Sequence, residues 1–156
     1  FTAINKEFNT IFQSLYGGGK ASLSLVDPED VLNSGIDIEA QPPGKAVTNN
    51  MLFSGGEKSL IALCVLFAIL KVKPSPLVIL DEVEAALDPG NVGRFAQFLH
   101  NYTDTTQFVV VTHRVGTMEK ADILYGVTMQ KQGVSQMLKV ELKDAMKMAE
   151  KEGEQV

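Results

Sequence analysis

Leu77-Val78-Ile79-Leu80-Asp81-Glu82 is the stretch that decides the fold. Four apolar residues in a row, followed at once by two carboxylates, suit a short strand buried on both faces of a parallel sheet, with its charged end emerging from the sheet. Gln107 to Val111 repeats the pattern, and Thr112-His113-Arg114 follows it. Between the two runs, Val92, Phe95, Ala96 and Leu99 recur at helical spacing after Asp88-Pro89-Gly90. Parallel strands need a crossover connection, and a helix is the usual one. This is a strand-helix-strand unit of an α/β protein.

Upstream, residues from about Gly56 to Lys73 are strong helix formers and apolar nearly all round. They predict a long central helix with both faces covered, stopped by Pro74 and Pro76. Residues 41–50 are polar and turn-rich, a surface loop leading to Met51-Leu52-Phe53-Ser54. Ala21, Leu23 and Leu25, then Ile36, Ile38 and Ala40, alternate with polar neighbours on either side of Asp27-Pro28, as antiparallel strands do. Phe1, Ile4, Phe8, Ile11, Phe12 and Leu15 form one helical stripe, ended by Tyr16-Gly17-Gly18-Gly19-Lys20. Residues 122–129 and 134–141 alternate around Lys131-Gln132-Gly133 and predict an antiparallel hairpin. A short charged amphipathic helix closes the chain. There is no internal repeat and no low-complexity segment.

Composition narrows the class. The 156 residues are 45% apolar, with 19 acidic and 14 basic side chains and a net charge of −5. A chain of this size buries roughly 70% of its unfolded surface, enough for one core without disulfides or a structural metal. The longest apolar run, Leu60 to Leu70, is far shorter than the about 20 residues of a membrane-spanning helix. A single cysteine, Cys64, excludes an internal disulfide and a thiolate metal cluster, and fits a reducing compartment. The chain begins at Phe1 without methionine or secretory features, and is expected to be a fragment.

Three segments carry candidate chemistry, and each has a plainer reading. Asp81 and Glu82 leave a water-poor strand at the end where open α/β sheets bind ligands. There Asp81 can meet a divalent cation, and Glu82 can take a proton from water attacking a phosphoryl group. Two solvated acids at a strand end are the alternative. Phe53-Ser54-Gly55-Gly56-Glu57-Lys58-Ser59 opens the long helix with a serine N-cap and two glycines that let backbone N–H groups approach an anion. The same residues read equally as a simple capping box, Ser54 with Glu57. His113, at the end of the second strand, can donate to a phosphate oxygen or orient water, or be merely structural. Gly17-Gly18-Gly19-Lys20 is not a P-loop, because Ser14 and Ala21 stand where glycine and Ser or Thr are required. No complete phosphate cradle is present. Lys71, Lys73, Lys139, Lys143 and Lys147 read as solvated faces or as a DNA footprint, and the negative charge is unfavourable to the latter.

Taken together, Phe53 to Ser59, Leu77 to Glu82, Leu87-Asp88 and Thr112-His113-Arg114 resemble the signature, Walker B, D-loop and switch histidine of an ABC-type ATPase. The Gly-Gly-Glu-Lys form, the run Asp81 to Asp88 and the segment Gln41-Pro42-Pro43-Gly44-Lys45 resemble the C-terminal head lobe of a bacterial structural maintenance of chromosomes (SMC) protein, over nearly the whole chain. Phe53 stands where leucine is commoner, an apolar exchange. The resemblance implies an α/β lobe with mainly parallel buried strands, flanking helices, antiparallel strands and a hairpin. Residues 1–16 would be the root of a coiled-coil helix and 17–156 the lobe itself. It also implies ATP and Mg²⁺, a Walker A loop in a separate N-terminal lobe, and a second head as homodimer partner. A kleisin subunit, DNA in the full assembly and a cytoplasmic, nucleoid-associated location complete the expectation, with no membrane. By the same resemblance Asp81 would help place Mg²⁺ through water, Glu82 would be the general base, and His113 would contact the γ-phosphate or the attacking water. Ser54, Gly55, Gly56, Glu57, Lys58 and Asp88 would meet the partner head's nucleotide across the dimer. The competing readings are a non-catalytic kleisin-docking module, a DNA-repair relative and a transporter subunit.

Overall fold

The computed structural model describes residues 1–44 and 53–141. The expectations for Lys45, Met51 and Leu52, Lys143, Lys147 and the closing helix lie outside the described residues. In chain order the elements are α1 (Thr2–Tyr16), β1 (Lys20–Leu25), β2 (Ile36–Gln41), α2 (Gly55–Val72), β3 (Leu77–Asp81), α3 (Pro89–His100), β4 (Gln107–Val111), α4 (Val115–Met118), β5 (Ile123–Lys131) and β6 (Val134–Glu141). Their strands form three pairs, with β3 and β4 parallel and both β1–β2 and β5–β6 antiparallel. Helix α3 is the crossover that the parallel pair requires.

The core lies between α1 and α2. The stripe on α1 buries Phe8, Ile11, Phe12 and Leu15, while Phe1 at its start is exposed. Facing it, α2 buries Leu60, Ile61, Leu63, Cys64, Phe67 and Ala68. Phe67 also stacks on Phe98 of α3 with ring centroids 4.6 Å apart, which joins the crossover helix to the same core. Burial pushes the Cys64 thiol up to about 12, so it acts as a small apolar filler rather than a nucleophile. At the outer end of the helix pair, Lys71 Nζ lies 2.8 Å from Glu7 Oε2, and this hydrogen bond holds the lysine above its usual pKa.

Two asparagines one helical turn apart anchor β1. The Ala21 N–H donates to Asn9 Oδ1 at 2.9 Å and the Leu23 N–H to Asn5 Oδ1 at 2.8 Å, while Asn5 Nδ2 donates to the Leu23 carbonyl at 3.0 Å. Backbone groups of β1 that point away from β2 are thereby satisfied by side chains of α1. The connection depends on Gly19, whose φ is +88° and whose missing Cβ would stand 2.3 Å from the Gln41 carbonyl oxygen.

Three sequence expectations are corrected. The strands β3 and β4 are not covered on both faces within the described residues. Val78 and Leu80, with Phe108 and Val110, face the core, whereas Leu77, Ile79, Val109 and Val111 face outward, Ile79 at 66% and Val111 at 50% exposure. Nor is α2 covered all round, since Leu66, Ile69 and Val72 are exposed along one stripe. In both cases an apolar run reports what a segment will bury, and the described residues supply only one covering layer. The hairpin is also longer than the alternation suggested: β5 runs on to Lys131, with an irregularity between Thr128 and Lys131, and closes through Gln132 and Gly133.

The first turn of α2 rests against the turn joining β3 to α3. A Cβ on Gly56 would lie 2.6 Å from the Ala86 carbonyl oxygen, while one on Gly55 would meet nothing within 4 Å. Alanine suits a helix better than glycine wherever there is room. Gly56→Ala should therefore destabilise the fold by ~1–3 kcal/mol through overpacking, and Gly55→Ala should be neutral or slightly stabilising. Equal unfolding midpoints for the two variants in a denaturant titration would contradict this packing.

Candidate active site

The parallel ladder of β3 and β4 runs from Leu77 opposite Gln107 to Asp81 opposite Val111. It is carried one step further by the Glu82 N–H, which donates to the Val111 carbonyl at 2.9 Å. Glu82 adopts φ +47°, the only described residue other than glycine with positive φ. Side chains there pay a steric penalty, so the conformation persists because the surroundings enforce it. The Val111 bond holds it on one side, and the Ala85 N–H donating to the Glu82 carbonyl at 3.0 Å holds it on the other.

The result is that Glu82 Oε1 and His113 Nδ1 lie 3.4 Å apart, with their side chains 55% and 64% exposed. An exposed pair of this kind adds little to stability. It does present an acid and an imidazole side by side at the carboxyl ends of two parallel strands, where a ligand of an α/β sheet is expected. Asp81, also exposed, alternates onto the outward face with Leu77 and Ile79. Among the described residues no group of three or more His, Cys, Asp and Glu side chains could cage a metal ion. Mg²⁺ asks for less, because it keeps several waters and takes one or two carboxylates together with phosphate oxygens. The exposed Asp81 carboxylate fits that mode of binding.

A second cluster gathers at the start of α2. Ser54 is its N-cap: the Glu57 N–H donates to Ser54 Oγ at 3.3 Å, and the Ser54 N–H and hydroxyl each donate to Glu57 Oε2 at 3.1 Å. The capping box is therefore real. Lys58 is exposed in the same turn, its N–H donating to the Ser54 carbonyl at 3.0 Å. Gly55 is open, whereas Gly56 is turned to the Ala86 carbonyl of its own chain. Asp88 caps α3 by accepting from the Asn91 N–H at 3.1 Å. An open cleft of about 590 Å³ brings Ser54, Glu57 and Asp88 together with Tyr16, Asn91 and Arg94. Burial, then Cys64 and Glu57, raise the Tyr16 pKa above its ordinary value, so its hydroxyl stays a neutral donor to the Glu57 carbonyl, 3.1 Å away. Neither Glu82 nor His113 lines this cleft. The predicted residues thus fall into two groups, Asp81, Glu82 and His113 at the strand ends, and Ser54, Glu57 and Asp88 around the cleft with Gly55, Gly56 and Lys58 in the adjoining first turn of α2.

Sequence reasoning missed Glu84, Thr112, Thr117 and Arg114 as a group. Glu84 is 1% exposed. Glutamates are almost never so buried without partners, and Glu84 receives hydroxyl hydrogen bonds from Thr112 and Thr117. Its only trace in the sequence is position, two residues beyond Glu82. Tyr16 and Arg94 were missed because each belongs to a helix whose apolar stripe dominates its reading.

Known proteins place this arrangement in a family. The model of the family described as RecF/RecN/SMC N terminal domain matches residues 3–136, a span containing both clusters. The chain is 58% identical over 144 residues to the chromosome partition protein Smc of Bacillus subtilis (strain 168), an alignment covering 92% of this chain and 12% of that protein. It is 56% identical over 149 residues to the chromosome partition protein Smc of Mesomycoplasma hyorhinis, covering 96% and 15%. The chain therefore spans only a small part of the length of these relatives. A structure described as the structural biochemistry of ATP-driven dimerization and DNA stimulated activation of SMC ATPases superposes with a TM-score of 0.85 at 41% identity, over 96% of this chain and 91% of that one. A crystal structure of the SmcHead bound to the C-winged helix domain of ScpA gives 0.84 at 44% identity, over 94% and 45%. Likeness of this extent in both sequence and backbone leaves one assignment: the chain belongs to the RecF/RecN/SMC family and shares the fold of SMC head structures over the part of a head that it spans.

Proposed function

We propose that this chain is the C-terminal half of an SMC ATPase head, which binds and hydrolyses ATP at an interface between two heads and so drives chromosome organisation and segregation. The observation that carries the reading is the Glu82–His113 pair, held 3.4 Å apart at the strand ends by a backbone conformation glutamate does not adopt freely. An interaction-only module has no use for that strain.

In this reading Glu82 is the general base. Its carboxylate accepts a proton as water adds to the γ-phosphorus, and the bond from that phosphorus to the bridging oxygen breaks, its electron pair leaving with ADP. His113 holds the attacking water or a γ-phosphate oxygen beside Glu82. Asp81 would hold Mg²⁺ through a water, and that ion neutralises phosphate charge when bound. The second group serves a different nucleotide. Ser54, Gly55, Gly56, Glu57 and Lys58, with Asp88, present the positive end of α2 to the γ-phosphate bound by the partner head. Gly56 contributes through its backbone, since its side-chain space is closed by Ala86.

A Walker A loop is the part that another lobe must bring. The outward face of β3 and β4 supports such a partner, because strands of a parallel sheet are ordinarily covered on both sides. Residues 1–16 are assigned to the coiled-coil root and 17–156 to the lobe. By analogy with the relative bound to ScpA, a kleisin winged helix is a partner of this head. DNA belongs to the full assembly, in keeping with a nucleoid-associated role. No helix among the described residues is long and apolar enough to cross a membrane.

In assembled heads, Glu82→Gln keeps the size of the side chain and removes the base, so ATP hydrolysis should fall on the order of 10²-fold or more while ATP-bound dimers persist. Normal turnover by that variant would contradict the role of Glu82. Ser54→Arg should abolish ATP-dependent dimerisation yet leave nucleotide binding to a single head intact, as equilibrium binding and sedimentation would report. Loss of single-head binding would contradict the assignment of Ser54 to the partner's nucleotide.

A further inference from the structure

The reacting groups sit on two turns, residues 82–88 after β3 and residues 112–118 after β4, and the second turn donates a set of hydrogen bonds to side-chain and backbone acceptors of the first. From the first, Glu84 Oε1 accepts the Thr112 hydroxyl and, at 3.0 Å, the Thr117 hydroxyl. From the second, Arg114 Nη2 donates to the Ala85 carbonyl at 2.8 Å and the Leu87 carbonyl at 2.9 Å. The Arg114 N–H in turn donates to Thr112 Oγ1 at 3.0 Å, so the threonine hydroxyl is held from both sides. Among the described residues Glu84 Oε2 is buried without a hydrogen-bond partner, and the two threonine bonds alone anchor the acid.

Desolvating a carboxylate is costly, and an apolar side chain of similar volume often packs as well. What an apolar residue does not provide is direction. Thr112 directly precedes His113 and Arg114 directly follows it, so a bond fixing Thr112 sets where the imidazole emerges. Leu87 directly precedes Asp88, so the Arg114 contact sets the start of α3 in the same frame. We infer that Glu84 is a positioning residue for hydrolysis, holding the 112–114 segment so that His113 stands against Glu82, with Thr112 as its working contact. This inference rests on the reading of Glu82 and His113 given above.

The test uses full-length protein assembled into ATP-dependent head dimers, with Thr112→Val, Thr112→Ser, Glu84→Ala and Glu82→Gln compared in parallel. Thr112→Val keeps shape and loses the hydroxyl, so kcat should fall about 10- to 100-fold, the scale of a small misplacement of a reacting group, with KM for ATP and dimer formation unchanged. Thr112→Ser restores the hydroxyl and should return kcat to within about twofold of the parent. Glu84→Ala should follow Thr112→Val where it folds, and the threonine pair keeps the claim open to refutation where it does not. An unchanged kcat in Thr112→Val, a serine variant as impaired as the valine one, or a loss of kcat matched by an equal loss of ATP binding would each overturn the inference. If Glu82→Gln also turns over normally, it is the reading of the site that fails. If Glu82→Gln is inactive while Thr112→Val is not, only the positioning role of Glu84 fails.

Discussion

The structure depends on one parallel strand pairing carried a residue beyond its ladder. Because the Glu82 N–H completes the β3–β4 register on the Val111 carbonyl, the chain must turn through a left-handed residue immediately after the strand. That turn aims the Glu82 carboxylate at the end of β4, where His113 leaves the sheet. It also starts the path to Asp88, whose carboxylate caps the crossover helix that makes a parallel pairing possible at all. The geometry of the candidate site and the chain topology are here the same constraint.

Much of this is legible in the sequence. Apolar runs ending in Asp81-Glu82 and in Thr112-His113, with a helical stripe between them, already specify a βαβ unit and the end at which its chemistry lies. Ser54 and Glu57 announce a capping box because that motif is local, closed within three residues. The reading fails where the deciding partner is distant. Glu84 carries no local mark of burial, since its threonine partners lie 28 and 33 residues away. The paired glycines of the α2 tip look equivalent, yet the fold separates them, leaving Gly55 open and setting Gly56 against Ala86. Apolar runs such as Leu77 to Leu80 count the faces a strand is able to bury, and say nothing of which chain supplies the cover.

The division of the site into two groups has a physical consequence. Among the described residues the acid and imidazole at the strand ends have no cradle for a triphosphate beside them, and the tip of α2 opens on a different cleft. In the function proposed above, each group is one part of a site and meets one side of a bound nucleotide. The two groups are nonetheless joined, because the 82–88 turn touches the α2 tip through Ala86 and the 112–118 turn through Glu84 and Arg114. A short path of direct contacts therefore joins the α2 tip to the Glu82–His113 pair.

The central claim, that these two groups serve different nucleotides and so require two heads, is tested most directly by the dependence of ATPase rate on protein concentration. Heads containing both lobes should show a rate per head that is near zero when dilute, rises with head concentration and saturates as dimers form. A rate per head that stays constant across that range, with the protein monomeric throughout, would contradict the account.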